Sequence, residues 1–233
     1  MDEVFLSMDE DLTKLKMRSS KGLLPRSFFS RDTCTVAQAL LGCRLVRILD
    51  GVRLSGIIVE TEAYVGEEDL ACHARAGRTP RTNVMYGAAG FSYVYFTYGM
   101  HWLLNIITEG EGFPAAVLIR ALEPKEGVEV MRDKRGINAL NLLCAGPARL
   151  TQAMGIGRAE NALDLCSKAS NIWIEGGTSN HKVRILRGPR VGLSQTPEPW
   201  RSKPWRYLVK GSPFVSKTPS LPRKAGTRRR PDN

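Results

Sequence analysis

Ile58-Val59-Glu60-Thr61-Glu62-Ala63-Tyr64 is the stretch on which the fold turns. It opens with β-branched, apolar residues, as a buried strand does. It then sets two carboxylates and a tyrosine at alternate positions. Side chains alternate faces along a strand, so Glu60, Glu62 and Tyr64 point the same way. Exposed strand ends are the ordinary home of such charges; the rest of the chain argues that these have a use.

Upstream, Arg44 to Leu49 reads as a strand. Asp50-Gly51 is a hairpin turn, and Arg53 to Tyr64 is the returning strand. Before it, Asp32 to Leu41 reads as a short helix with Val36, Ala37, Leu40 and Leu41 on one face and Gly42 just past its end. Downstream, Val65 to Gly90 is polar, glycine-punctuated and long for a loop, the usual mark of a functional one. Phe91 to Tyr98 and His101 to Thr108 read as strands about a turn at Gly99-Met100. Ala115 to Ala121 reads as a strand, Glu126 to Lys134 and Ala148 to Met154 as helices, with Gly155 ending the second. Ile172 to Glu175, Val183 to Leu186 and Tyr207 to Lys210 read as late strands. Hairpin connections and few long helices give an α+β class: a single domain on a curved antiparallel β-sheet with flanking helices and a protruding β-hairpin. Residues 1–24 read as a disordered leader, 25–216 as the domain and 217–233 as a disordered basic tail that contains Arg228-Arg229-Arg230.

Composition narrows the function. The 233 residues carry a net charge of +11, and the pI is about 9.7. Such an excess of Lys and Arg suits a polyanionic partner, nucleic acid above all. The five cysteines are widely spaced without a CxxC pair, which fits reduced thiols better than a disulfide framework or a zinc site. The three histidines are scattered, so no metal is expected, and no organic cofactor is implied. No apolar run reaches membrane-spanning length, and the acidic start MDEVFLSMDEDLTKLKM lacks the core of a secretory signal.

Several residues suit chemistry. A carboxylate that takes a proton from water needs a fixed, partly desolvated position, and Glu62 at a strand end offers one. His73 follows in the long loop. Tyr93 and Tyr95 share one strand face, with Val94, Phe96 and Tyr98 on the other. Tyr98 and Met100 flank a predicted hairpin tip, where large apolar groups are poorly placed for burial and well placed to wedge between stacked bases. Arg120 ends an apolar strand, where it can bind a phosphate or pair with an acid. Asn105 is a lone amide among apolar residues, so it needs hydrogen-bond partners or a polar pocket.

Taken in order, these pieces resemble the alkyladenine DNA glycosylase family, also called 3-methyladenine DNA glycosylases, over Pro25 to Ser216. The specific matches are Ile58 to Tyr64, Tyr93-Val94-Tyr95, Tyr98-Gly99-Met100, Leu118 to Pro124, Gly146-Pro147, Arg190-Val191-Gly192 and Gly211-Ser212-Pro213. The resemblance implies that Glu62 is the general base and that Arg120 helps hold it and its water. It implies a base-binding pocket of Tyr64, His73, Tyr95, Asn105 and Val191, with Tyr98 as the wedge beside Met100. It gives Glu60 no role. It implies a cofactor-free, monofunctional hydrolase, since no lysine nucleophile stands in the motifs. The expected partner is double-stranded DNA containing damaged purines, and a monomer is expected, in a bacterial nucleoid or a nucleus. The loop arginines Arg75, Arg78 and Arg81 are expected to contact phosphates. Two rivals remain open: a non-catalytic protein that kinks DNA through the aromatic hairpin, and an RNA-binding module like the C-terminal domain of formyltransferases.

Overall fold

The structure is a computed structural model that describes residues 22–177 and 184–217. Asp50 and Gly51 both take positive φ, 50° and 78°. Turns of this hand match the right-handed twist of paired strands, so β1 (Arg44–Leu49) folds directly onto β2 (Val52–Val65). The sheet continues through β3 (Ser92–Thr97), β4 (His101–Ile107), β5 (Ala115–Glu126), β6 (Ile172–Glu175), β7 (Ile185–Gly188) and β8 (Arg206–Val209). Its main path runs β3-β4-β5-β2-β1-β6, every adjacent pair antiparallel.

β2 is the spine. One edge pairs with β5 almost throughout. The other pairs with β1 as far as Ile57 and, from Glu60 to Glu62, with β8, which β7 joins in turn. A β-bulge sits at this handover, between Ile58 and Thr61. A bulge admits one extra residue and bends the strand. Here it switches which positions face the core. Leu54 and Ile58 point into it before the bulge, and Ala63 does so after it, while the Thr61 hydroxyl donates to the Ala37 carbonyl at 2.8 Å. Glu60, Glu62 and Tyr64 are thereby turned to the opposite face of a sheet that curls at the same point.

The core side is covered by α1 (Arg26–Phe29), α2 (Thr33–Ala39), α3 (Val128–Arg135), α4 (Leu140–Leu143) and α5 (Pro147–Met154). The Asp32 carboxylate caps α2 by accepting from the Thr35 N–H at 2.7 Å. Left-handed glycines, Gly136 and Gly155, end α3 and α5. Val36, Leu45, Leu54, Ile119, Leu122, Met131, Leu150 and Met154 fill the space between helices and sheet. A second, smaller core of Cys72, Ala74, Met85, Tyr86, Tyr93, Ile107 and Ala116 packs the long loop onto the sheet.

Four expectations need correction. β5 runs on past Ala121 to Glu126, and the following helix starts at Val128, not Glu126. Pro124 has no N–H to give a ladder, and the register slips beside it, where it faces Gly56. A Cβ at Gly56 would lie 2.9 Å from the Leu122 Cβ, so the strand can run on only because Gly56 lacks one. The tight turn after β3 is centred on Tyr98-Gly99, one residue earlier than Gly99-Met100. The strand expected from Val183 begins at Ile185; Val183 lies outside the described residues, as do the leader up to residue 21 and the tail from residue 218.

Candidate active site

The bulge delivers Glu62 into a fully buried position at 0 % exposure, where two hydrogen-bond donors and one guanidinium converge on its carboxylate. The Val191 N–H reaches Oε1 at 2.7 Å. The Tyr64 hydroxyl reaches Oε2 at 2.9 Å, and Nη1 of Arg120 lies 3.3 Å from the same oxygen. Burial of a carboxylate is costly unless it is paired and hydrogen-bonded, and this one is both. Burial beside Glu62 holds the Tyr64 hydroxyl well above the usual tyrosine range, so it stays a proton donor.

Tyr64, Arg120 and Val191 are also walls of a cavity of about 370 Å³, which His73, Tyr93, Tyr95, Tyr98 and Asn105 help to line. Its volume falls in the range of small-molecule sites. The structure thus gathers all the expected pocket residues around one opening, with Glu62 immediately behind its wall. His73 stands edge-on to Tyr95, ring centroids 4.4 Å apart, and its Nδ1 lies 3.0 Å from the Tyr93 hydroxyl. Burial, with Arg81 and Arg75 nearby, pushes the imidazole down to about 4, so it is neutral at pH 7. Arg81, beside the Tyr93 hydroxyl, draws that group's pKa down against the rise that burial causes. The Tyr93 hydroxyl has one proton to give and two lone pairs to accept with, so it satisfies Nδ1 of His73 in either tautomer of the neutral ring. Asn105 is buried on the cavity floor, and its Nδ2 donates to the Tyr93 carbonyl at 3.1 Å.

Behind Tyr64 lies a column in which aromatic rings and cations alternate. Arg190 sits over the Tyr64 ring at 4.7 Å and over Trp205 at 5.0 Å; Lys203 sits over Trp205 at 4.1 Å and over Trp200 at 3.7 Å. Arg190 also pairs with Asp69, both side chains fully buried, and donates to the carbonyls of Ala63 and Trp200. It therefore ties the end of β2 to the His73 loop and positions the adjacent Val191 N–H against Glu62. Reading along the sequence does not find Asp69 or Arg190, because they stand 121 residues apart. The Arg190-Val191-Gly192 motif was the one available signal.

The β3–β4 hairpin projects beside the cavity. Tyr98 and Gly99 take φ of 51° and 66° at the tip of the hairpin. Tyr98 is 85 % exposed and Met100 67 %, the two most exposed large apolar residues among those described. Phe96 and Trp102 stack across the base of the hairpin, centroids 4.8 Å apart. Of the loop arginines, Arg75 donates to the Leu70 carbonyl, Arg78 to Asn83, and Arg81 lies 5.3 Å over the Tyr95 ring. Each so far serves the loop or the pocket wall, and each keeps further N–H donors. Among the described residues no group of His, Cys, Asp and Glu has the spacing to hold a metal ion, and no helix is long and apolar enough to cross a membrane.

Residues 27–213 match the methylpurine-DNA glycosylase family. A protein of Methanocella arvoryzae named "Putative 3-methyladenine DNA glycosylase" is 46% identical over 196 residues, which cover 84% of this chain and 96% of that one. Proteins of the same name from Myxococcus xanthus and Clostridium acetobutylicum are each 44% identical, covering 84% and 83% of this chain and 94% and 97% of their own. The match spans the bulged strand, the cavity and the hairpin together, and the chain belongs to the methylpurine-DNA glycosylase family, hydrolases of the N-glycosidic bond in DNA.

Proposed function

We propose that the protein flips damaged purines out of duplex DNA and hydrolyses their N-glycosidic bond with a water activated by Glu62. The observation that carries this reading is the Glu62 carboxylate itself, buried against the cavity wall and held by two hydrogen bonds and an ion pair. An ionised carboxyl has about four acceptor positions. Val191 and Tyr64 fill one on each oxygen, Arg120 stands as an ion pair beside Oε2, and acceptor capacity is left for water. Glu62 takes the proton as the water oxygen bonds to C1′, and the electron pair of the glycosidic bond departs with the purine. An abasic site remains. The developing oxocarbenium ion is stabilised by the same carboxylate.

An alkylated purine such as 3-methyladenine or 7-methylguanine is cationic and already a good leaving group. Tyr64, Tyr95 and His73 supply ring faces and edges to hold it, each well-placed ring contributing about 0.5–2 kcal/mol. Asn105 disfavours the 2-amino group of guanine. Neutral lesions, hypoxanthine and ethenoadenine, need a proton or hydrogen bond at the purine as it leaves, and the His73 imidazole on the cavity wall is the group that would supply it. Tyr98 and Met100 fill the gap left in the duplex, where unstacking costs a few kcal/mol and least at damaged pairs. The protein works as a monomer, without cofactor, on DNA of a nucleoid or a nucleus.

Incubation with duplex DNA carrying methylated adenine or hypoxanthine, followed by cleavage at abasic sites, tests the reading. Strand breaks at the lesion are expected. Tight binding to every damaged duplex with no breaks would overturn it in favour of a protein that only kinks DNA.

A further inference from the structure

Glu60, two residues before Glu62 and facing the same way, is the one acid of the motif left without a role. It is as deeply buried as Glu62, at 0 % exposure. Its Oε1 accepts from Nε of Arg120, Nε of Arg206 and Oγ of Ser216, each at 2.8 Å. Its Oε2 accepts from the Ser216 N–H at 2.6 Å. Ser216 Oγ in turn accepts from Nη2 of Arg120 at 3.2 Å. Arg120 therefore gives Nε to Glu60 and Nη2 to Ser216, and only Nη1 turns to Glu62, at 3.3 Å.

That division matters for a base. Left to itself, a guanidinium beside a carboxylate docks on it through two parallel N–H···O bonds. Such docking on Glu62 would occupy the acceptor position that water needs and would set the full arginine charge against its taking a proton. A guanidinium is planar, so anchoring two of its nitrogens fixes the third. Glu60 also brings a second negative charge to a cluster that holds Arg120 and Arg206.

We propose that Glu60 is a positioning residue for the reaction: with Ser216 it holds Arg120 by two of its three nitrogens, so that only Nη1 faces Glu62, at ion-pair distance, and that base keeps an acceptor position open for water. The proposal rests on the reading of Glu62 as the base. It also gives the segment ending at Ser216 a place in the site, because that segment closes over Glu60 from 156 residues further along the chain.

The full-length protein tests this through Glu60→Gln and Ser216→Ala, assayed for single-turnover excision from dimethyl-sulfate-treated duplex DNA across pH, for affinity to the same DNA and for melting temperature. The groups that face Glu62, and so shape its pH response, are Glu60 and Tyr64 on its own strand, Arg120 on β5, Arg206 on β8, Tyr95 on β3 and Arg190 beside Val191. Both variants free Arg120 to dock on Glu62, which weakens it as a base. Excision at neutral pH should fall about tenfold or more for Glu60→Gln, the scale of a small misplacement at a reacting centre, and less for Ser216→Ala. In both, the acid limb of the rate profile should move to lower pH, with affinity for damaged DNA held within about twofold. A rate loss with an unmoved acid limb, or no loss, overturns the proposal. If Glu60→Gln does not fold, Ser216→Ala alone decides by the same criterion, since it removes one hydroxyl. Glu62→Gln, run alongside, separates the two claims. If that variant still excises, the reading of Glu62 falls; if it is inert while both other variants keep the native profile, only the role of Glu60 falls.

Discussion

The hydroxyl of Tyr64 donates to Glu62 at 2.9 Å, so the ring that walls the cavity and the proposed base are tied together within one strand. Tyr64→Phe keeps the ring and removes the donor. A hydrogen bond to a carboxylate favours its charged form, so losing one makes that form harder to keep. The acid limb of excision should move to higher pH, opposite in sign to Glu60→Gln, with a rate loss at neutral pH of about threefold to tenfold. Binding to damaged duplex should change little. A pH–rate series under single turnover checks both the sign and the size.

Arg190 backs the Tyr64 ring and pairs with Asp69 out of contact with solvent. Removing one partner of a buried pair leaves the other charge uncompensated, at a cost of about 3–5 kcal/mol. Arg190→Met should destabilise the protein by that amount in urea unfolding. Asp69→Asn combined with Arg190→Met should recover part of it, because no lone charge is then left behind. Equal losses in the single and double variants would contradict the pairing.

How much of this was legible in the sequence differs from element to element. Asp50-Gly51, Asp32 and Gly155 announce a hairpin, a helix start and a helix end through local backbone chemistry, and all three act as expected. The shared face of Glu60, Glu62 and Tyr64 follows from strand alternation. The bulge that turns this face away from the core does not, because it depends on where β5 and β8 meet β2. Nor could the sequence assign Glu60. Its partners Arg206 and Ser216 stand 146 and 156 residues away, and no periodicity links them. The continuation of β5 through Pro124 was hidden for a similar reason: it needs Gly56 on the neighbouring strand.

His73 gives the fold a pH dependence. Its folded value, down to about 4, lies below the 6.5 of a free histidine. Below pH 6.5 the unfolded chain takes up a proton that the native site resists, so stability is lost as pH falls from 6.5 towards 4 and is fully present above that window. The loss at the bottom of the window is at most about 3–4 kcal/mol, the full shift at about 1.36 kcal/mol per unit. His73→Asn should abolish this part of the slope, as measured by unfolding free energies at a series of pH values. Parallel curves for the two proteins would contradict the buried, neutral imidazole.

Tyr98 combines near-complete exposure with a left-handed backbone, φ 51°. Asparagine tolerates that conformation better than tyrosine does. Tyr98→Asn should therefore leave the melting temperature unchanged or slightly raised, while damaged-duplex affinity falls by about 1–3 kcal/mol, the value of a lost stacking contact. Binding to single-stranded DNA should fall less. Equal loss on both, or a clear drop in stability, would make Tyr98 a packing residue instead of a wedge.

The central claim is that the Glu62 carboxylate activates the attacking water. Glu62→Gln preserves the shape of the side chain and removes its capacity as a base. The direct measurement is the single-turnover excision rate of this variant on methylated duplex DNA, set beside its equilibrium affinity for the same DNA. The account predicts near-native affinity with excision reduced by a factor of about 10²–10⁴. Excision within a few-fold of the native rate would contradict it.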